Sequence, residues 1–508
     1  MDLVDQLEDI LDSILPEEEN SIIESEDFYS VVYELVNEYM KSSVLALMNE
    51  DHHETLLNEI FQLVVVQFEF SIKFYDYEKC REKIEEIVQD YYFEEIPGRS
   101  CDDSTRERLS VFGNKTRYEV RNITKILDIL RNKPQPEQRT SEWYHFRHNL
   151  ITASNAYKAF MEGSEFNQLV YEKCQPLKIP VIKEDELPPP VNVDTTLHWG
   201  QKFEPLSVMI YEDCYCTKIE DFGCIQHDTY SFIGASPDGI NVDTNNLNFY
   251  GRMLEIKNIV NREITGIPKM EYWVQMQLQM ETCGLDECDF FETRFKEFEN
   301  EQAYLKSFES TNDHEDDDQS KNTCLSYKGV MMYFSHKGKP IYKYSKLNIT
   351  PDELEIWEEK IMDETISNDV IWVKNNYWWL EESSCVLVMR NKNWFSEAAP
   401  YLKTAWETID TERETGYQHR APTKRTPKST PNDASLPNPK CLIQIDKETG
   451  ELKLSQNAET KDKKDELPIG SPPIDMFLGN EFKVRTESID ETRERMDKQI
   501  TPGSSPTK

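Results

Sequence analysis

Paired Cys-x-x-Cys spacing is missing from this chain of 508 residues. Its eleven cysteines are dispersed. Cys214, Cys216 and Cys224 come nearest to a cluster, but no second pair follows, which argues against a structural zinc. Long apolar runs are missing too. The most apolar stretch, residues 63–70, is too short to span a bilayer and contains Glu69. No signal peptide is recognised, and dispersed thiols suit a reducing, intracellular setting with no membrane association. No glycine-rich phosphate loop, Ser/His/Asp arrangement or internal repeat is found. Positive charge is scarce: 57 Lys and Arg face 95 Asp and Glu, a net charge of −38. That balance is unfavourable for a polyanionic partner, but it is uneven along the chain. Residues 1–100 carry 6 basic against 26 acidic side chains, whereas residues 101–150 carry 10 against 7.

Aromatic residues are plentiful at 11%, and the length allows a sizeable core, so most of the chain is expected to fold. Apolar periodicity predicts acidic amphipathic helices over residues 3–14, 28–48, 56–74 and 84–92. Residues 1–96 are thus an acidic helical domain. It either packs against the rest, which is the preferred reading, or serves as a docking surface or a mimic of a polyanion that gates a groove. Residues 97–139 read as a linker, with turn signals from Pro97-Gly98 to Asp103, and a leading helix over 117–131. Residues 140–410 read as α/β, with strands at 222–226, 232–235, 252–259, 289–295 and 329–336 and a hairpin continuing over 339–346. An acidic insertion falls near 297–323. Trp372, Trp378, Trp379 and Trp394 are expected to pack the core, with base stacking by one of them as the alternative. Residues 411–508 are read as mostly disordered, with a basic island at 423–428 and one hairpin over 440–454.

The chemistry concentrates in two short segments. Pro237-Asp238 is followed, after sixteen residues, by Glu255-Ile256-Lys257. In a strand, positions i and i+2 share a face, so Glu255 and Lys257 point together and Ile256 points into the core. Two carboxylates supply hard oxygens for a divalent cation, and a lysine beside them can hold an attacking water. An acid-x-Lys triplet alone is weak, because a solvated ion pair on an edge strand gives the same pattern. Other segments strengthen it. Gly200 to Tyr211 reads as a helix entered at Gly200, with Glu204 near its first turn. Trp143 and Arg147 stand at i and i+4 on one helix face. Ser154 suits a helix N-cap able to receive a phosphate. In Tyr272-Trp-Val-Gln275-Met-Gln277-Leu-Gln279, a helix is preferred over a strand because the stretch is long and ends at Gly284. Gln275 and Gln279 then share a face.

The order of these motifs across residues 140 to 295 closely resembles the lambda exonuclease family, the YqaJ-type viral recombinase nucleases of the PD-(D/E)XK superfamily. In overall size the chain looks more like the copies of large DNA viruses. The resemblance implies a restriction-endonuclease-like α/β core, a mixed central sheet flanked by helices. To this are added an acidic helical N-terminal extension and a disordered C-terminal tail. It also implies a magnesium-dependent exonuclease, with manganese as a substitute, degrading duplex DNA from a 5′ end for recombination or for processing replication intermediates. Asp238, Glu255, the carbonyl of Ile256 and Glu204 would hold metal. Lys257 and Gln275 would complete the catalytic set. Arg147, Ser154 and Trp143 would engage the 5′-phosphate and DNA. Double-stranded DNA ends, a single-strand annealing or binding protein and an oligomer are the implied partners. A viral copy would act in host cytoplasm or nucleus, or be packaged in virions. The alternatives are a structure-specific endonuclease on the same fold and a non-catalytic recombination scaffold.

Overall fold

The computed structural model describes residues 22–69, 71–72, 76–101, 115–177, 191–193, 195–308, 327–366 and 369–422, with the backbone of 443–445 and 452–454. The predicted first helix, the basic island and most of the predicted insertion lie outside these residues. Compact units divide after Arg420 rather than near residue 410. Beyond that point, Ile443–Ile445 and Leu452–Leu454 pair as the expected antiparallel hairpin.

The acidic helices are α1 (Glu26–Ser42), α2 (His52–Gln67) and α3 (Tyr77–Glu94). Helix α1 starts where the Ser25 hydroxyl accepts from Phe28 N at 3.1 Å. Its buried residues, Phe28, Val32, Val36 and Met40, recur every four positions and form one stripe. The helix predicted over 28–48 breaks at Ser43, and residues 44–48 form a separate 3₁₀ turn. The stripe belongs to the same core cluster as Met253, Trp273, Phe290 and Trp394. The region expected to be a linker is partly a clamp. Buried Arg99 donates to Leu47 O (2.8 Å), Met48 O (3.2 Å) and Pro268 O (2.7 Å), and its own carbonyl accepts from the Trp273 indole at 2.9 Å.

This integration changes the expectation for a deletion. Every predicted site residue lies after residue 140, so from sequence the removal of residues 1–96 is expected to leave those residues in place and to raise non-specific DNA affinity, against the competing expectation that the helices are integral packing. In the fold, that deletion uncovers apolar side chains packed against residues 44–48. Each large side chain returned to water costs about 1.5–3 kcal/mol. A few suffice to consume much of the roughly 5–15 kcal/mol that holds a typical domain. The truncated protein is expected to be insoluble or to lack a cooperative melt. A thermal scan beside the full chain checks this, and an unchanged melting temperature would contradict it.

The leading helix α4 (Arg117–Asn132) begins in a capping box between Thr116 and Glu119. There follow α5 (Ser141–His148), β1 (Ile151–Thr152), the four-residue α6 (Ala153–Ala156) and α7 (Ser164–Cys174). Helix α8 (Thr196–Cys214) leads to the short strands β2 (Ile219–Glu220), β3 (Ile225–Gln226), β4 (Ile233–Ala235) and β5 (Gly239–Asn241). Strand β6 (Met253–Asn258), helix α9 (Met270–Cys283) and strand β7 (Glu287–Glu297) come next. The remainder is α10 (Glu301–Lys306), β8 (Lys328–His336), β9 (Lys339–Tyr344), α11 (Pro351–Thr365), β10 (Val370–Met389) and α12 (Lys392–Thr415).

Seven strands form a mixed sheet in the order β2-β5-β6-β7-β10-β8-β9, beside a small sheet β1-β4-β3. Among the described residues, only β6 and β7 run parallel within the large sheet. Parallel neighbours need a crossover, and α9 supplies it, which brings side chains of that helix to β6. The mixed α/β architecture with an N-terminal helical extension is therefore as expected. The long strand β10 is not read from the sequence, and neither are the helices α7 and α12. It pairs β7 along one half and β8 along the other, with register shifts at Leu380/Glu382 and Trp372/Lys374. Trp378 and Trp394 are buried as expected, but Trp372 is 41% exposed and bonds Asn375 Oδ1. The cysteines among the described residues are free thiols, and no described helix is long and apolar enough to cross a membrane.

Candidate active site

Strand β6 is buried between β5 and β7, and its last residues open toward solvent. Ile256 faces the core with Phe203, Leu206 and Phe291, so Glu255 and Lys257 take the opposite face together. Glu255 is fully buried, and an isolated buried carboxylate is costly. Here it is surrounded by donors. Oε1 accepts from Gln275 Nε2 at 2.7 Å and from Lys257 Nζ, and Oε2 accepts from Gln279 Nε2 at 2.7 Å. Gln275 and Gln279 are one helical turn apart, so α9 presents both amides to one carboxylate. Gln277 turns away: it accepts from Asn391 N and donates to Met389 O, fastening α12 to β10.

Asp238 stands in the turn between β4 and β5. Its Oδ2 accepts from Ile256 N at 2.7 Å, which ties this turn to β6. The glycine after it is required. A Cβ at Gly239 would lie 2.2 Å from Ile219 Cγ2, so only glycine lets β5 approach β2 this closely. Gln279 also donates to Ser236 O at 3.1 Å, joining α9, the Asp238 turn and Glu255 in one network. Sequence reading placed Gln279 on the face of Gln275 without assigning it to the site. The i, i+4 spacing was the signal.

The charges are strongly coupled. Burial, and then the negative charge of Glu255, push the Asp238 carboxyl well above the usual carboxylate range; Lys257 and the Ile256 N–H oppose this. Burial alone would pull the Lys257 amine down, but Glu255 and Asp238 outweigh it and hold it above the ordinary lysine value. Lys257 is therefore an ammonium in this geometry. It also lies 4.8 Å from the centre of the Tyr272 ring.

Glu204 is displaced from its expected position. Helix α8 begins at Thr196, not at Gly200, because the Thr195 hydroxyl caps it by accepting from His198 N at 3.2 Å. Glu204 thus lies in the helix interior, beside Pro205. It is exposed and does not line the cavity, yet loss of surrounding water, and then Glu255 and Asp221, raise its carboxyl. Among the described residues, no group of three or more His, Cys, Asp and Glu forms a ready metal cluster. Asp238 and Glu255 remain the carboxylate pair. The donor chemistry fits a divalent cation: hard oxygens crowd together, and their mutual repulsion is what such a cation relieves.

A cavity of about 280 Å³ joins Asp238 and Gln275 to Trp143, Arg147 and Ser154. The Arg147 guanidinium sits 4.7 Å over the Trp143 ring, as their i, i+4 spacing allows. Ser154 is not an N-cap. Thr152 occupies that position, without a side-chain cap bond, and Ser154 is the second residue of α6, exposed to solvent. Its hydroxyl still lines the cavity. Arg139 and Gln138 line it too, and neither was singled out from sequence.

Residues 142–286 match the model of the YqaJ-like viral recombinase domain. The chain is also 28% identical over 326 residues to uncharacterised protein R354 of Acanthamoeba polyphaga mimivirus, a match covering 58% of this chain and 56% of that protein. It thus spans little more than half the length of this curated relative. Two solved structures are similar in part: an alkaline exonuclease (LHK-Exo) from Laribacter hongkongensis, and LHK-Exo in complex with dAMP. Each is 18% identical, covers 55% of this chain and 97% of its own, and has a TM-score of 0.30.

Proposed function

We propose that this chain, which carries a YqaJ-like viral recombinase domain over residues 142–286, is a metal-dependent deoxyribonuclease that digests duplex DNA from 5′ ends. The observation that carries the reading is one convergence. Asp238, Glu255 and Lys257 form a single charge-coupled group, and Asp238 shares a cavity with Arg147 and Ser154. Asp238, Glu255 and the Ile256 carbonyl would hold magnesium, or manganese in its place. The bound cation would supply Lewis-acid polarisation of the phosphate and a more acidic water.

The chain's own residues do the rest. The Arg147 fork and the Ser154 hydroxyl bind the terminal 5′-phosphate by charge-assisted hydrogen bonds. Lys257 Nζ donates to the attacking water or to a non-bridging phosphate oxygen, where negative charge grows. Gln275 and Gln279 keep Glu255 in one rotamer, and the Ile256 N–H keeps Asp238 in place. Water adds to phosphorus as the P–O3′ bond breaks. The released nucleotide carries the new 3′-hydroxyl, and the shortened strand carries a new 5′-phosphate. That product presents again the group that Arg147 recognises, so digestion can repeat. The remaining 3′ strand would suit a single-strand annealing or binding protein acting in recombination.

Full-length protein with Mg²⁺ on linear and closed circular duplex, carrying 5′ or 3′ labels, tests this. The linear duplex should lose its 5′ label first, as mononucleotide, while the circle survives. Cutting of the circle would favour an endonuclease, and no cleavage at all a scaffold. A sharper variant is Arg147→Lys, which keeps the charge and loses the planar fork. It should lower the preference for a 5′-phosphate over a 5′-hydroxyl by roughly tenfold, the loss of about one charge-assisted hydrogen bond. General duplex affinity should change less. Competition binding with the two end types measures both.

A further inference from the structure

Arg139 lies outside the matched family region and immediately before Thr140, the residue that caps α5. Its backbone is left-handed, with φ of 68°, a conformation that a long side chain rarely adopts. The surroundings impose it. Gln135 is fixed by bonds to Leu130 O and Gly223 N, both at 2.6 Å. On the other side, the Thr140 hydroxyl donates to Glu137 O at 2.7 Å and accepts from Trp143 N at 3.3 Å. The chain is thus pinned before and after Arg139, and the turn between must be tight. Glycine would occupy it without strain, yet arginine stands there.

Its side chain has no structural task that explains this. Arg139 is exposed, and among the described residues its guanidinium makes no hydrogen bond or ion pair. It lines the cavity that Arg147, Ser154 and Asp238 also line. Its charge reaches Glu204, whose carboxyl it lowers against the larger raising effects. In a chain of net charge −38, an unengaged guanidinium held over a cavity by a strained backbone calls for an anionic ligand.

We propose that Arg139 is a second phosphate-binding residue of this site, sharing the terminal 5′-phosphate monoester with Arg147. This rests on the proposed reading of the cavity as the site for a DNA 5′ end. The chemistry selects the monoester. A terminal phosphate carries close to two negative charges at neutral pH, and an internal diester carries one. Two guanidinium forks match the former, so Arg139 sets discrimination between a phosphorylated end and other DNA.

The test uses the full chain in Ca²⁺, to hold DNA without turnover, with 5′-phosphorylated and 5′-hydroxyl duplex oligonucleotides. Wild type should bind the phosphorylated end more tightly. Arg139→Gly removes the guanidinium and relieves the backbone, so its melting temperature should hold or rise while the phosphate preference falls about tenfold. Arg139→Gln keeps the backbone demand and the side-chain length but not the charge, and should lose the same preference. It also decides the matter if the glycine variant folds poorly. Either folded variant retaining the wild-type preference overturns the proposal, and a simultaneous loss in Arg147→Lys would show that the end-binding reading survives. Equal binding of both ends by wild type would remove the end-binding reading and the role of Arg139 with it.

Discussion

Replacing Lys257 with alanine should lower the cleavage rate by roughly 10²–10³-fold, equivalent to about 3 kcal/mol of lost transition-state stabilisation. Among the described residues, Lys257 is the one cation bonded to the Glu255 carboxylate, and it is held protonated there by Glu255 and Asp238. In the proposed mechanism, removing it takes away the donor that would meet growing charge at phosphorus. It leaves Glu255 with two amide donors, from Gln275 and Gln279, so the carboxylate is not stranded. Most of the effect should therefore appear in the chemical step. Single-turnover digestion of an end-labelled duplex, beside a thermal melt and a binding measurement in Ca²⁺, separates the contributions. A folded Lys257→Ala protein cleaving at the wild-type rate would show that the chemistry lies elsewhere.

Asp238→Asn should be comparably damaging, for a different reason. The asparagine carbonyl can still accept from Ile256 N, so the turn keeps its attachment to β6. What would be lost is one of the two carboxylates proposed to hold the cation, and polarisation by such a cation contributes several kcal/mol. A fall in rate of about 10²–10³ is expected, since each 1.4 kcal/mol is about tenfold. Stability gives a second readout. Without metal, the Asp238 carboxyl is raised by burial and by Glu255, so its charged form is disfavoured in the folded chain. In EDTA the variant should melt no lower than wild type. Adding Mg²⁺ should raise the wild-type melting temperature and raise that of the variant much less. An equal rise in both, or full activity of wild type in EDTA, would contradict the two-carboxylate reading. Glu255→Gln is a poorer probe. Its amide would face the amide of Gln275 or of Gln279, setting donor against donor inside a buried site.

Local periodicity made much of the secondary structure around the candidate site readable. Alternation placed Glu255 and Lys257 on one face of β6, and the apolar stripe ending at Gly284 correctly favoured a helix for α9. The stripes of α1, α2 and α3 were also legible, because amphipathic spacing is a property of one helix. Their partner was not. Only the folded chain shows that residues 44–48 and Arg99 are fastened to the helix carrying Gln275 and Gln279. The exact start of α8 depended on one hydroxyl cap, which moved Glu204 from a first turn to a helix interior. Strand β10 was hidden because its neighbours change along its length, so no single alternation runs through its twenty residues.

By itself, the sequence determined which residue types could do the chemistry: two carboxylates, a lysine, an arginine and glutamines at strand and helix spacings. Tertiary structure alone decided how they act on one another. The crossover of α9 brings two amides to Glu255, and the Ile256 N–H captures Asp238. The strained turn sets Arg139 at the cavity wall. Spacing along the chain is a local quantity, but hydrogen bonds and electrostatic coupling depend on distances across the fold, and those exist only once the sheet and helices have packed.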